Sequence, residues 1–281
     1  MPVTLCDYDV VNIIREHPDE FPAWHSSPVA ELYTPPVFEN KKKVRWLLVL
    51  GGFFVPLQLM KIIAYNINRS NQEKIDRILK FDADVYILPE IACKPSVSLP
   101  EGYQMEWTGN IPHKGLGVIW KPSVKVEVPQ WFNPMLQYFL PLMIDGYLII
   151  AAWPTTTEQN SPMKYPEIAM KALQEYSPYI KQFPTIISGD MNLYKGQSGE
   201  TKMFSIQAIC EFLKEMNVVS VYHDLTGEAL GNESCATYYH QFKKNQPFFI
   251  DYTFSSIPVK SFKIGEWDSA ISDHVPQFIE I

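Results

Sequence analysis

Residues 184–194 read Pro-Thr-Ile-Ile-Ser-Gly-Asp-Met-Asn-Leu-Tyr, an apolar strand that runs straight into Gly189-Asp190-Met191-Asn192. Such an ending projects one carboxylate and one carboxamide from the same side of a tight turn, a pair able to orient a water and hold the oxyanion it attacks. The plainer reading is a turn, since Asp and Asn side chains bond their own backbone. Four further segments end apolar strands on polar groups. Residues 60–65 lead into Asn66-Ile67-Asn68, residues 83–89 lead into Glu90, Asp251 sits inside the aromatic run 248–254, and Ser272-Asp273-His274 precedes the apolar run from Val275. Each alone reads equally as a turn, a solvated strand end or a satisfied inward polar group.

Their order along the chain says more. Strand-Asn, strand-Glu, strand-Gly-Asp-x-Asn, Ile-Asp-Tyr and Ser-Asp-His resemble the endonuclease/exonuclease/phosphatase superfamily, whose members include deoxyribonuclease I-like nucleases, apurinic/apyrimidinic endonucleases, inositol polyphosphate phosphatases and neutral sphingomyelinases. The resemblance runs over residues 60–281 and takes in Trp107-Thr108-Gly109-Asn110 and Lys114-Gly115-Leu116-Gly117-Val118. It implies an α/β (α+β) fold: a two-layer β-sandwich of mixed, mainly antiparallel sheets flanked by helices. It also implies hydrolysis of phosphate esters, and leaves the substrate open.

The residue types suit that chemistry. Hydrolysing a phosphodiester requires neutralising the phosphoryl oxygens, activating a water for in-line attack and stabilising the leaving oxygen. A set of Asp, Glu and Asn with one His does this when a hard divalent cation is present, and carboxylate and carbonyl oxygens suit Mg²⁺ or Mn²⁺. Glu90 is the first choice of metal ligand, with Asn66 and Asp273 beside it or bound through water. By the resemblance, Asp190 aligns the attacking water, Asn192 helps bind the phosphate, and His274, paired with Asp251, contacts a phosphoryl oxygen. A buried carboxylate beside an imidazole fixes its tautomer and raises its pKa.

One position departs from the family pattern. Many members carry a His or Tyr at the end of the strand before Gly-Asp-x-Asn; here residues 147–152 run into Trp153-Pro154. Either Trp153 takes that position or it is a core or rim aromatic. An indole offers one N–H and no positive charge. Some bacterial members are similar in having an aromatic here, a Lys-Gly-Leu element like that at Lys114 and a Tyr-His pair like Tyr222-His223. Because that pair follows an apolar run, His223 is a candidate for the cleft, against the commoner structural role of a strand-end His.

The elements that must position these groups are mostly strands. The pattern predicts strands near 61–66, 84–89, 103–108, 116–120, 124–128, 147–153, 185–189, 218–222, 235–239, 248–255, 260–266 and 275–280. Helices are expected over 71–81, 165–181 and 204–217, the second bent or ended near Pro178. With 46% hydrophobic residues the chain can fill a substantial core, and one catalytic domain over 60–281 is the economical organisation. Residues 1–59 carry no such motif. The expectation is either that Met60 is the biological start or that 1–59 add a strand-and-loop extension. The apolar stretch 46–60 is too short and too interrupted by Gly51-Gly52 and Pro56 to span a bilayer.

Composition bounds the partners. A net charge of −7 argues against tight nonspecific nucleic-acid binding, although a cation and a local basic rim can serve an acidic nuclease. Candidate rim residues are Lys114, Lys121, Lys243 and Lys244. Four cysteines without Cys-x-x-Cys spacing indicate a reducing compartment, with the cytoplasm as default. Three functions follow: a metal-dependent nuclease acting on DNA or RNA, a phosphatase or phosphodiesterase of the same fold acting on a small phosphorylated compound or lipid headgroup, and a non-catalytic binding module.

Overall fold

The computed structural model describes residues 46–49, 53–56, 59–157 and 162–281, and the chain divides into two compact units, 1–59 and 60–281. In the first unit, β1 (Trp46–Val49) pairs antiparallel with β2 (Phe53–Pro56). The other expectations placed on residues 1–58 lie outside the described residues.

The second unit is built from two six-stranded sheets. In the first, β3 (Lys61–Ala64) lies parallel to β4 (Val85–Ile91), followed by β6 (Lys114–Trp120) and β5 (Gln104–Ile111). On the other side of β3 come β16 (Gln277–Glu280) and β15 (Ser261–Ile264), both joined antiparallel. The second sheet runs β11 (Val219–Ser220), β14 (Asp251–Ser255), β10 (Thr185–Asp190), β9 (Tyr147–Ala152), β8 (Phe139–Ile144) and β7 (Val126–Glu127). There β10 and β9 are parallel and the other pairs antiparallel. A short ribbon pairs β12 (Tyr238–Tyr239) with β13 (Pro247–Phe248).

Strand alternation sorts the apolar residues into three layers. Ile62 and Ala64 of β3, Val85 and Ile87 of β4, Leu140 and Leu142 of β8 and Ile149 and Ala151 of β9 share one core between the sheets. Ile63, Tyr86 and Leu88 face the other way, onto α1 (Gln72–Leu79), which contributes Ile75 and Ile78 and is capped by the Asn71 side chain at the Lys74 amide. The far side of the second sheet packs Leu148, Ile150, Ile187 and Phe254 against α2 (Tyr165–Ile180) and α3 (Ile206–Lys214). This is the expected two-layer sandwich flanked by helices.

Differences from the sequence pattern have local causes. Strand β8 falls in residues 128–146, where the sequence pattern predicts no strand. Its Pro141 faces Ile150 inside the sheet. Where a strand was expected over 218–222, only Val219–Ser220 pair, with the edge of β14, and the chain turns into α4 (Val221–Thr226), closed by Gly227 at φ 72°. Pro178 lies in the last turn of α2, which ends two residues later at Ile180.

Candidate active site

The strand parity that builds the core also builds the site. On β10, Ile186 faces the other sheet, and Ser188 and Asp190 follow it at the same parity. Asp251 opens β14 and lies directly opposite Asp190 in the ladder. Beneath them a buried polar ladder joins the two sheets. Ser188 Oγ lies 2.8 Å from Thr253 Oγ1, Thr253 Oγ1 donates to Gln277 Oε1 at 2.6 Å, and Gln277 Nε2 donates to the Asp251 carbonyl at 2.7 Å. Gly189 holds φ at 145° and presses so close to β9 that an added Cβ would meet the Ala152 carbonyl oxygen at 2.0 Å.

From the first sheet come Asn66 and Glu90. Asn66 continues the inward row of Ile62 and Ala64. Glu90 by simple alternation would point outward with Tyr86 and Leu88. A register shift between Pro89 and Ile91, with Glu90 at φ 66°, instead makes Ile91 the outward residue and frees Glu90 for the other face.

These groups meet. Asn66 Nδ2 donates to Asp190 Oδ2 at 2.8 Å and lies 3.4 Å from Glu90 Oε1, while Asn66 Oδ1 accepts from the Asn68 amide at 2.9 Å. The Asn192 amide donates to Asp190 Oδ1 at 2.8 Å, and the Asn192 side chain donates to the Pro154 carbonyl at 3.1 Å. His274 Nδ1 lies 2.9 Å from Asp251 Oδ2, and its Nε2 faces Asp190 Oδ2 at 3.8 Å. The Ser272 hydroxyl donates to the Asn66 carbonyl and accepts from the His274 amide, tying the approach to β16 to the end of β3. Asp273 Oδ1 accepts from Asn68 Nδ2 at 2.8 Å.

The electrostatics follow from burial. Desolvation raises the Asp190 carboxyl; the His274 charge opposes this and Asp251 adds to it, leaving a pKa of about 7. Burial works to lower the His274 pKa, but the carboxylates of Asp251 and then Asp190 outweigh it and bring the ring to about 9. A proton acceptor near neutrality therefore faces a charged donor, held in place by Asp251.

Asp190, Asp251 and His274 bring ligand atoms within 4.8 Å of one another, as a metal site would. Their geometry is already satisfied without one, because the imidazolium sits between the two carboxylates. Beside this cluster Glu90 and Asp273 add two carboxylates, joined to it through Asn66 and Asn68, and Asp273 accepts from the neutral Asn68 side chain. Glu90 already attracts positive charge, with Lys114 Nζ 3.2 Å from its Oε2. This oxygen-rich, net acidic set suits Mg²⁺ or Mn²⁺ in donor type.

The remaining expected residues divide. Trp153 is buried, edge-on to Tyr138 at 4.9 Å, and carries the Lys114 ammonium 5.2 Å above its ring. His223 is not in this cluster: it bonds Ser220 Oγ at 2.7 Å and Glu233 Oε1 at 3.0 Å and packs on Phe249 and Tyr252, on the face of β14 opposite Asp251. Among the rim lysines, Lys121 is paired with Asp82 and Asp84 at the far end of β6. Two residues given no place in the site by the motif reading belong near it. Asn68 holds Asp273, and Tyr238 lies 4.5 Å from the His274 ring. The Asn66-Ile67-Asn68 doublet is the signal for Asn68; nothing in sequence links Tyr238 to His274.

No family model matches the sequence, and no curated protein matches it significantly. Solved structures do match. A 3'-5' exonuclease from Neisseria meningitidis is 17% identical, with a TM-score of 0.57 over 79% of this chain and 99% of that one. The endonuclease domain of the telomere-specific non-LTR retrotransposon TRAS1 is 13% identical, with a TM-score of 0.57 over 80% and 98%. An apurinic/apyrimidinic endonuclease from Archaeoglobus fulgidus is 15% identical, with a TM-score of 0.55 over 78% and 98%. At these identities the likeness concerns architecture alone: the chain has the deoxyribonuclease I-like fold.

Proposed function

We propose that the protein is a divalent-metal-dependent phosphoesterase, acting as a nuclease-type phosphodiesterase by in-line attack of an activated water. The observation that carries this reading is the meeting of Asp190, Asn66, Glu90, Asp251 and His274, drawn from both sheets, in one polar cluster at one end of the sandwich. The similar structures are an exonuclease, an endonuclease domain and an apurinic/apyrimidinic endonuclease, and a further one, a Neisseria 3' phosphatase, is bound to a product DNA hairpin, which favours nucleic acid as substrate.

The chain's own groups have separate tasks. Asp190, oriented by Asn66 and the Asn192 amide, accepts the proton of the attacking water; a pKa of about 7 suits that role. His274 donates from Nε2 to a phosphoryl oxygen while Asp251 holds Nδ1. Asn192 uses one N–H on Pro154, and its second serves the phosphate. Glu90, with Asn66 and Asp273 close by, would hold Mg²⁺ or Mn²⁺, which supplies charge neutralisation on the phosphoryl and leaving oxygens when bound.

A second reading, a phosphatase or phosphodiesterase acting on a small phosphorylated compound or lipid headgroup, is favoured by the charge. The net charge is −7, and Lys114 and Lys74 beside the site are bound to Glu90 and to the carbonyls of Ile67, Asn68 and Arg69. A binding module would have no use for a proton acceptor and a charged donor facing one another. Among the described residues no helix is long and apolar enough to cross a membrane. The test is hydrolysis of supercoiled plasmid and a panel of phosphate esters with Mg²⁺, Mn²⁺ or EDTA, against Glu90→Gln. Metal-dependent nicking lost in the variant is expected; ester turnover without nicking favours the second reading, and silence on both rejects an enzyme.

A further inference from the structure

Lys114 is placed by a rigid support and has two partners of different kinds. It opens β6, opposite Ile111 in the hairpin. The backbone beside it is pinned, because a Cβ on Gly115 would lie 2.2 Å from the Trp107 ring. Its ammonium lies 3.2 Å from Glu90 Oε2 and 5.2 Å from the centre of the Trp153 ring. The following residue, Pro154, accepts the Asn192 side chain, and the Asn192 amide bonds Asp190. The ammonium therefore stands between the carboxylate expected to hold a cation and the loop beside the water-orienting acid.

We infer that Lys114 is an exchangeable counterion: it neutralises Glu90 when no metal is bound, and on metal binding it stays on the Trp153 face and serves as the cationic ligand of the substrate phosphoryl group. This rests on the proposed metal-dependent reading. A hard dication on a carboxylate sits about 2.1 Å from the oxygen, so it and an ammonium on the same group repel one another. The indole face still attracts the ammonium after that pairing weakens, and provides a resting place beside the site. An indole cannot itself carry charge, so at this edge of the cleft the stacked lysine supplies what Trp153 lacks. The pair is part-exposed, so the competition is moderated by solvent rather than absolute.

The test uses the full chain. Mn²⁺ is titrated by calorimetry into metal-free wild type, Lys114→Met, Lys114→Arg and Glu90→Gln, and inorganic phosphate is then titrated into each Mn²⁺-loaded protein. Lys114→Met is expected to bind Mn²⁺ about fivefold tighter and phosphate about tenfold weaker, with Lys114→Arg, which keeps the positive charge, shifted less than Lys114→Met on both. Mn²⁺ affinity unchanged or weakened in Lys114→Met, or phosphate affinity unchanged, overturns the inference alone. A wild type that takes up no more Mn²⁺ than Glu90→Gln overturns the metal-dependent reading, and this inference with it.

Discussion

Asp251 and His274 form a buried pair in which Nδ1 is 2.9 Å from a carboxylate oxygen, and this leaves Nε2 directed at Asp190, 3.8 Å away. One ring thus links two carboxylates that the ladder already places opposite each other. The charge on the imidazole is a product of that arrangement.

Activity is accordingly expected to follow a bell-shaped pH profile. The proposed mechanism needs Asp190 ionised and His274 protonated, so the acid limb in kcat/KM should report the raised Asp190 carboxyl and the alkaline limb the raised His274 ring. Asp251→Asn removes the larger attraction on the ring and should move the alkaline limb to lower pH while reducing kcat by about a thousandfold. An alkaline limb unmoved in that variant would separate the limb from His274.

Stability should respond to the same groups. The folded His274 pKa, about 9, lies above its ordinary value of 6.5, so its stabilising contribution is fully present below about 6.5 and lost as pH rises through about 9. Asp190 is also raised, from 3.8 to about 7, so its contribution is fully present below about 3.8 and lost as pH rises through about 7. Denaturation midpoints of wild type should therefore fall as pH rises from about 6.5 to about 9.

Asp190→Ala and His274→Ala should each lower turnover by about three orders of magnitude with the fold retained. Asp190→Ala leaves the Asn66 and Asn192 donors without their acceptor, so it should cost about 1–3 kcal/mol of stability without unfolding the chain. Circular dichroism together with single-turnover rates checks both halves; activity surviving in both variants rejects the assignment.

Asn66→Asp would put a third carboxylate between Glu90 and Asp190, where the amide now donates to Asp190 at 2.8 Å. The metal-free variant is expected to melt well below wild type and to recover more than wild type on adding Mg²⁺. Scanning calorimetry with and without EDTA measures this directly.

Gly189→Ala should destabilise by about 3 kcal/mol or more and displace Asp190. The φ of 145° and the Ala152 carbonyl oxygen 2.0 Å from the added Cβ leave no relaxed position for a methyl group. Urea unfolding of the variant provides the measurement.

Residue order in the sequence was enough to determine the family of architectures and most of the residues that gather at the site. Short, nearly continuous apolar runs define β3, β4, β10 and β14, and each delivers a polar group at an end: Asn66, Glu90, Asp190 and Asp251. Those patterns are local, so they survive reading without a structure. Tertiary pairing decided what alternation could not. A one-residue shift reverses which face a side chain occupies, and the shift after Pro89 is what turns Glu90 toward Asn66. The opposition of Asp190 and Asp251, the burial of His274 between them and the placing of Lys114 on Trp153 depend on register between strands far apart in the chain. The same rule removed His223 from the cluster: a turn into helix after Ser220 set it against Tyr252, whose side chain lies on the face opposite its neighbour Asp251.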